Sequence, residues 1–474
     1  MGGFFGAVTR DECIADVFYG TDYHSHLGNK RGGLLFLNDD GLFQREIHDI
    51  THDQFRSKFE GDLDGLHGRM GIGCISDTDS QPLICSSRCG KFGITMVGVV
   101  NNLLPLRDEM LEREPHLHFS EMFNGVVSPT EIAATLISGG NDIAEGLRDM
   151  QDRIDGSCSV LLLSKDGVYA CRDVVGRTPI VIGRKEDGSL AAAFESCALH
   201  NLGYKVVRWL GPGEAVLLEH ATFEIRQVLP PRSKMRMCAF MWIYYGFPAS
   251  SYEGINVEES RYRCGAELAK MDDTEVDAVA GVPDSGTAHA LGYASERGIP
   301  FRRSFIKYTP TWPRSFISDS QTTRRHVAKM KLIPIQEFIR GQRLLFCEDS
   351  IVRGTQLKDT FARLPEMGAK EIHVRSACPP ILYGCRFLNF SPSRGPLELI
   401  ARRAIHKLED GKETDELITR EYSDCRTERH RRMVEEISRE MGFTTLKFQT
   451  LDRMLKAIGF PTDRLCTYCW TGRD

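Results

Sequence analysis

Long apolar runs are missing from this sequence. The longest, Cys238 to Phe247 (CAFMWIYYGF), is about half the ~20 residues that a membrane-spanning helix needs. A charge bias is missing too. The 60 basic and 65 acidic residues leave a formal charge of −5, which gives no global pull toward nucleic acid or an anionic membrane. The opening residues, MGGFFGAVTRDEC, lack the basic and apolar regions of a secretory signal. Gly6 stands where a myristoylation signal carries Ser or Thr. Internal repeats and low-complexity tracts are absent as well. These absences predict a cytoplasmic chain. At 41% hydrophobic and 26% charged, its 474 residues have the composition of a well-cored protein of about two to four domains.

Cysteine, by contrast, is plentiful. Fifteen is an odd number, spread over a chain far too long for a disulfide scaffold, so free thiols plus a metal site are expected. Most, including Cys158, Cys171 and Cys197, lie in strand-like apolar segments and read as small buried hydrophobes.

Up to about residue 230, short apolar segments alternate with Gly- and Asp-rich turns (GGLLFLNDDGLF, GSCSVLLLSKDGVYACRD), which predicts antiparallel sheets with helices around 103–113 and 129–153. Pro230-Pro231 marks a boundary. From about 257 the texture becomes helix–strand alternation, the βαβ pattern of a doubly wound parallel sheet. Residues 396–460 are charged and read as helical, their mixed signs indicating a solvated face. The expected division is 1–230, 231–395 and 396–474.

The most informative stretch is Leu344 to Thr355, LLFCEDSIVRGT. A buried strand ends in two carboxylates, Glu348 and Asp349, followed by a polar turn into a helix. Ligands in open α/β sheets bind beyond the carboxyl ends of strands, where loop and helix N–H groups face anions. Ser350, Gly354 and Thr355 would cradle a phosphate, with Arg353 beside them, while the acidic pair accepts ribose hydroxyls. Val282-Pro283-Asp284-Ser285-Gly286-Thr287 forms a second strand–turn–helix anion site. Between the two lies a Pro- and Ser-containing segment whose cations, Lys307, Arg314, Lys329 and Lys331, would close over the bound anion and exclude water; a plain surface loop is the rival reading.

The first stretch resembles the PRPP-binding motif of the phosphoribosyltransferases. Together with GVPDSGTAHALGYA, KMKLIP, INVEESR, RDVVGRTPI (172–180, against the pattern RDPxGxRPL) and ESCAL (195–199), it is similar along nearly the whole chain to the amidophosphoribosyltransferase family. That resemblance implies an α/β two-domain protein. An N-terminal nucleophile hydrolase-like αββα sandwich would be followed by a type I phosphoribosyltransferase sheet and a C-terminal helical extension. It implies a homo-oligomer that makes phosphoribosylamine for purine synthesis. Asp284, Ser285, Gly286 and Thr287 would hold pyrophosphate, and Asp284, Glu348 and Asp349 would stand by PRPP-linked Mg²⁺. Cys466 and Cys469 form a CxxC that by itself is compatible with zinc, a redox pair or coincidence. The resemblance adds Cys238 and Cys385, the remaining ligand positions of the family's [4Fe–4S] subgroup.

The pattern also breaks. The family's glutaminase nucleophile is a cysteine in C-G-x-F-G; here the string is Gly2-Gly3-Phe4-Phe5-Gly6. Gly2 has no side chain with which to attack, and Cys13 is internal. The oxyanion-hole string H-N-G-N-L falls on Val99 to Leu103, placing Val100 where an Asn donor worth about 3–4 kcal/mol is expected. The acidic clamp of S-D-T-E falls on Pro129. Arg69 in HGRMG is expected to survive as the carboxylate-binding arginine. The loop carries Pro310, Trp312 and Pro313 and is about one residue longer than the family's, and the charged stretch at about 400–440 is longer than usual. The expected activity is therefore PRPP transfer to ammonia or another small amine, with a separate ammonia-producing subunit as one source. The alternative is a non-catalytic, PRPP-binding regulatory paralogue that assembles with a true amidotransferase.

Overall fold

A computed structural model describes residues 2–120, 126–308, 332–388 and 395–474. Two antiparallel sheets lie between Gly2 and Leu229. The first orders its strands Lys205–Trp209, Val181–Arg184, Leu190–Ala193, Gly2–Val8, Met70–Ser76, Arg31–Leu37 and Phe43–Asp49. The second orders Ile225–Leu229, Ala215–Glu219, Gly167–Cys171, Gly156–Ser164, Gly90–Val100 and Leu83–Ser87. Period-two alternation sends Phe4, Leu35 and Ile72 of the first against Leu161, Leu163 and Val168 of the second. Their outer faces are covered by helices: Val17, Phe18 and Leu199 on the first sheet, Ile132 and Leu147 on the second. This is an αββα sandwich.

The helix expected over 129–153 is two, Pro129–Ser138 and Ile143–Arg153. Gly139-Gly140 breaks it, and the Asp142 carboxylate caps the second by accepting from the Glu145 N–H at 2.8 Å.

The second sheet system is parallel throughout, in the order Ala278–Gly281, Arg343–Glu348, Glu371–Ser376 and Thr445–Phe448. Leu345 and Cys347 face helices Val257–Ala269, Gly286–Arg297 and Leu451–Ile458, while Leu344 and Phe346 face Ile400–Leu408 and Glu428–Met441. Helices on both faces make it doubly wound. The C-terminal extension is mostly helical, and its Thr445–Phe448 also supplies the edge strand. Four residues within a charge-rich tail give too short a period-two signal to read from sequence. Among the described residues no helix is long and apolar enough to cross a membrane.

Candidate functional site

Strands Ala278–Gly281 and Arg343–Glu348 are neighbours, with Gly281 opposite Cys347, so the two loops leaving their carboxyl ends meet. The Ser285 hydroxyl donates to Asp349 at 2.5 Å, and Ser350 donates to its other oxygen at 2.6 Å. Gly286 is required by this approach, because a Cβ there would stand 2.4 Å from the Cys347 carbonyl oxygen. Gly354, at φ +76°, turns the chain into helix Thr355–Phe361 in the left-handed region that glycine tolerates. A Cβ at Gly354 would meet Ile400 at 2.6 Å.

Burial pushes the Glu348 carboxyl well up, and the charge of Asp349 adds to this. Asp349 is raised by burial against the hydrogen bonds of Ser285 and Ser350. Oε2 of Glu348 is buried without a hydrogen-bond partner, an acceptor waiting for a hydroxyl or a hydrated cation. Lys307 reaches the pyrophosphate-type loop, its Nζ 2.5 Å from Asp284. The Arg353 guanidinium, expected near phosphate, pairs instead with Glu398 at 2.7 Å. The long extension draws it away from the loop: the Ile400 N–H donates to the Val352 carbonyl and Arg403 to that of Arg353, both at 2.8 Å. Arg314, Lys329 and Lys331 lie outside the described residues. Sequence reading missed Arg261, whose buried guanidinium donates to the carbonyls of Trp242, Tyr244 and Gly246 at 2.8–2.9 Å and exerts its charge on Asp349. It closes the string INVEESR, but only the fold shows its charge reaching Asp349.

The four cysteines singled out from sequence converge from three distant segments. Strand Met237–Cys238 pairs in parallel with Leu465–Cys466, setting Cys238 opposite Cys466. The Cys469 carbonyl accepts from the N–H groups of Leu382 (3.0 Å) and Tyr383 (3.1 Å), anchoring the tail against the loop that carries Cys385. The Cys469 thiol is pushed well up by its hydrogen bond with Cys385 and by burial, and it also feels Cys238 and Cys466. All fifteen cysteines are described, and none is in a disulfide. Four sulfurs suit soft-metal chemistry. Among the described residues, Glu46, His48 and Asp62 are the trio of potential ligands whose ligand atoms all lie within 4.8 Å of one another.

At the opposite pole, Gly2 begins strand Gly2–Val8 opposite Ser76. A Cβ on Gly2 would stand 2.0 Å from the Ile75 carbonyl oxygen. Val100 is buried with Leu106 and Met110. Pro129 starts its helix, and the buried Asp79 nearby is fully engaged. It accepts from Ser128 Oγ, from the Thr130 N–H at 3.2 Å and from Gln81 Nε2 at 2.8 Å. Arg69 is a correction. Val8 pairs with Met70, so Arg69 lies beyond the far end of the strand from Gly2, about 20 Å away at ~3.3 Å per residue. Its guanidinium pairs with the exposed Asp39 at 2.9 Å. The register, which sequence alone does not supply, puts Ser76 in the place expected for Arg69.

An αββα sandwich leading into a doubly wound sheet, with an acidic pair and an anion loop at adjoining strand ends, defines a two-domain protein of the amidotransferase–phosphoribosyltransferase class. Residues 67–201 match the glutamine amidotransferase domain family. The chain is 32% identical to amidophosphoribosyltransferase 1, chloroplastic, of Arabidopsis thaliana, over 98% of this chain and 78% of that protein. It is 29% identical to the amidophosphoribosyltransferase of Archaeoglobus fulgidus, over 93% and 90%. The solved glutamine PRPP amidotransferase from B. subtilis, complexed with ADP and GMP, superposes with a TM-score of 0.82 at 27% identity, covering 99% of this chain and 96% of that one. The chain belongs to the amidophosphoribosyltransferase family.

Proposed function

We propose that this protein transfers the phosphoribosyl group of PRPP to ammonia or another small amine, and that its N-terminal domain does not hydrolyse glutamine. The observation that carries this reading is the contrast between two poles. Ser285 and Ser350 of the two strand-end loops both donate to Asp349, while Gly2 has neither a side chain nor room for one.

In the reaction the amine lone pair attacks C1 of the ribose. The C1–oxygen bond to pyrophosphate breaks, the leaving group takes the electron pair, and the nitrogen releases a proton. Glu348 and Asp349 orient the ribose through its hydroxyls, and the loop 350–355 holds the 5′-phosphate. The Asp284–Thr287 loop and Lys307 hold pyrophosphate, so catalysis is positioning and electrostatic stabilisation. Mg²⁺ would be held through PRPP by the hard oxygen donors Asp284, Glu348 and Asp349, and would neutralise charge on the leaving group. The orphaned buried oxygen of Glu348 fits that role.

Cys238, Cys385, Cys466 and Cys469 would hold a [4Fe–4S] cluster. Their all-sulfur donor set supports that choice. The cluster would serve as a cross-link between segments.

The test is pyrophosphate release from anaerobically purified protein with PRPP and Mg²⁺, comparing glutamine with ammonium at alkaline pH. Release with ammonium alone is expected. Release with glutamine would overturn the loss of glutaminase, and silence with every amine tried would favour the PRPP-binding regulatory paralogue.

A further inference from the structure

Arg177 belongs to the N-terminal sandwich by sequence and to the cysteine centre by contact. In RDVVGRTPI it occupies the variable place of RDPxGxRPL, and Thr178 stands where that pattern has arginine. The cation has thus moved one residue along the chain, and the consequence is visible in space. Arg177 is only 3% exposed. Its Nη1 donates to the Cys466 sulfur at 3.2 Å, and its Nη2 reaches both carboxylate oxygens of Asp474 at 2.7 Å. The Phe387 ring lies against the guanidinium, 3.4 Å from its central carbon. The Arg177 carbonyl accepts from the Cys238 N–H at 3.1 Å. One residue therefore touches two of the four cysteines, and Phe387, whose ring lies against it, follows a third, Cys385, by two positions.

A buried guanidinium must be matched in charge and hydrogen bonds. Asp474 supplies one carboxylate, and a ligated Cys466, as thiolate, supplies a second acceptor. Nε remains buried without a partner, a donor for which a cluster's inorganic sulfides are acceptors of the right kind. A cleft of about 180 Å³, lined in part by Arg236, Thr462, Cys466, Thr467 and Asp474, opens beside the same sulfur. Asp474 is held on its rim by Arg177.

We propose, on the iron–sulfur reading above, that Arg177 is a positioning residue for the cluster, tuning it through the Cys466 sulfur and closing its exposed side through Asp474. Hydrogen bonds to ligand sulfurs and solvent exposure set cluster potentials. A cationic donor at a thiolate favours the more negative, reduced state and so raises the reduction potential.

The experiment uses the full chain, purified anaerobically, as wild type, Arg177→Gln, Arg177→Lys and Asp474→Asn. Iron and sulfide are assayed first. Dithionite supplies the single electron that takes the 2+ cluster to 1+ in a titration followed by electron paramagnetic resonance. Bleaching in air is timed separately. For Arg177→Gln the reduced-to-oxidised ratio at fixed potential is expected to fall about tenfold, a drop of about 59 mV for one electron. Bleaching should be several-fold faster. Arg177→Lys keeps the charge and should recover part of the potential, which separates tuning from a folding defect. Asp474→Asn should speed bleaching while leaving the potential close to wild type. A loaded Arg177→Gln with wild-type potential and bleaching rate overturns the role of Arg177 alone; should that variant not fold, a loaded Asp474→Asn that bleaches at the wild-type rate does so. A wild type without iron and sulfide overturns the cluster reading and this role with it.

Discussion

At Gly2 the surrounding backbone leaves no room for a side chain. The contact a Cβ would make is with backbone, the Ile75 carbonyl oxygen at 2.0 Å, which cannot swing aside as a side chain would. Gly2→Cys is therefore expected to release no glutamate from glutamine and to weaken the pairing of Gly2–Val8 with Met70–Ser76. A glutaminase assay together with a thermal melt checks both, and measurable glutamate release would refute the closure. Asp349 is the reverse case, a side chain on which other groups converge. Replacing it with Asn keeps the size and removes the charge that orders Ser285 and Ser350. Pyrophosphate release with ammonium should fall by about 10²–10³ with little change in melting temperature, the loss typical of one electrostatic group. An Asp349→Asn enzyme of near-normal rate would remove the acidic pair from the chemistry.

Between residues and molecule, the strand–turn–helix unit decides how much can be read in advance. Both donor loops were legible because each is a local pattern, an apolar strand followed by a polar glycine-containing turn, and the parallel register then brings them together. Arg69 was misread because HGRMG looks like a site string and only the Gly2–Ser76 register reveals its distance. Arg177, Arg261 and the displacement of Arg353 onto Glu398 depend on contacts between segments far apart in sequence. The same holds for the pair Asp272–Arg375, each 5% exposed or less, which joins the end of helix Val257–Ala269 to the parallel sheet with help from Lys447 at 2.9 Å and Tyr293 at 2.8 Å. Burial pushes the Asp272 carboxyl up, but Arg375, Lys447 and Thr274 outweigh it and hold it well below the usual carboxylate range. A depressed folded pKa contributes stability that is present above the unfolded value of about 3.9 and lost as pH falls through the folded one. Asp272→Asn should therefore cost about 3–5 kcal/mol at pH 7, leaving Arg375 buried and unmatched, and the gap to wild type should shrink as the pH drops below about 4. Denaturant melts at pH 7 and pH 3 measure it; an equal gap at both would show that packing, not the charge pair, holds this corner.

At the scale of the whole molecule the tail is held by very little chain. Its ladder with the domain junction is two residues long, Met237 with Leu465 and Cys238 with Cys466, too short to be stable alone. Buried Leu465 and Trp470 add apolar area, the Cys469 carbonyl accepts from the Leu382 and Tyr383 N–H groups, Arg177 pairs with Asp474, and the four cysteines lie among these contacts. Because a metal centre binds the folded state and not the unfolded one, its ligation energy is folding energy. On the proposed iron–sulfur reading, removing the metal should then act on the tail first. Chelation under mild oxidation, or Cys469→Ser, should expose Arg464 and Arg473 to trypsin at least several-fold faster than in the loaded protein. Even ~3 kcal/mol of ligation energy lost would lower the melting transition by about 6 °C, at roughly 2 °C per kcal/mol for a large chain. The order of events separates a clasp from an ornament. Tail cleavage that precedes loss of the N-terminal sandwich means the centre cross-links the two halves through their shared strand pair. If metal-free and loaded proteins are cleaved and melt alike, the sulfurs do not hold the tail, and the packing of Leu465 and Trp470, the hydrogen bonds to the Cys469 carbonyl and the Arg177–Asp474 pair do so.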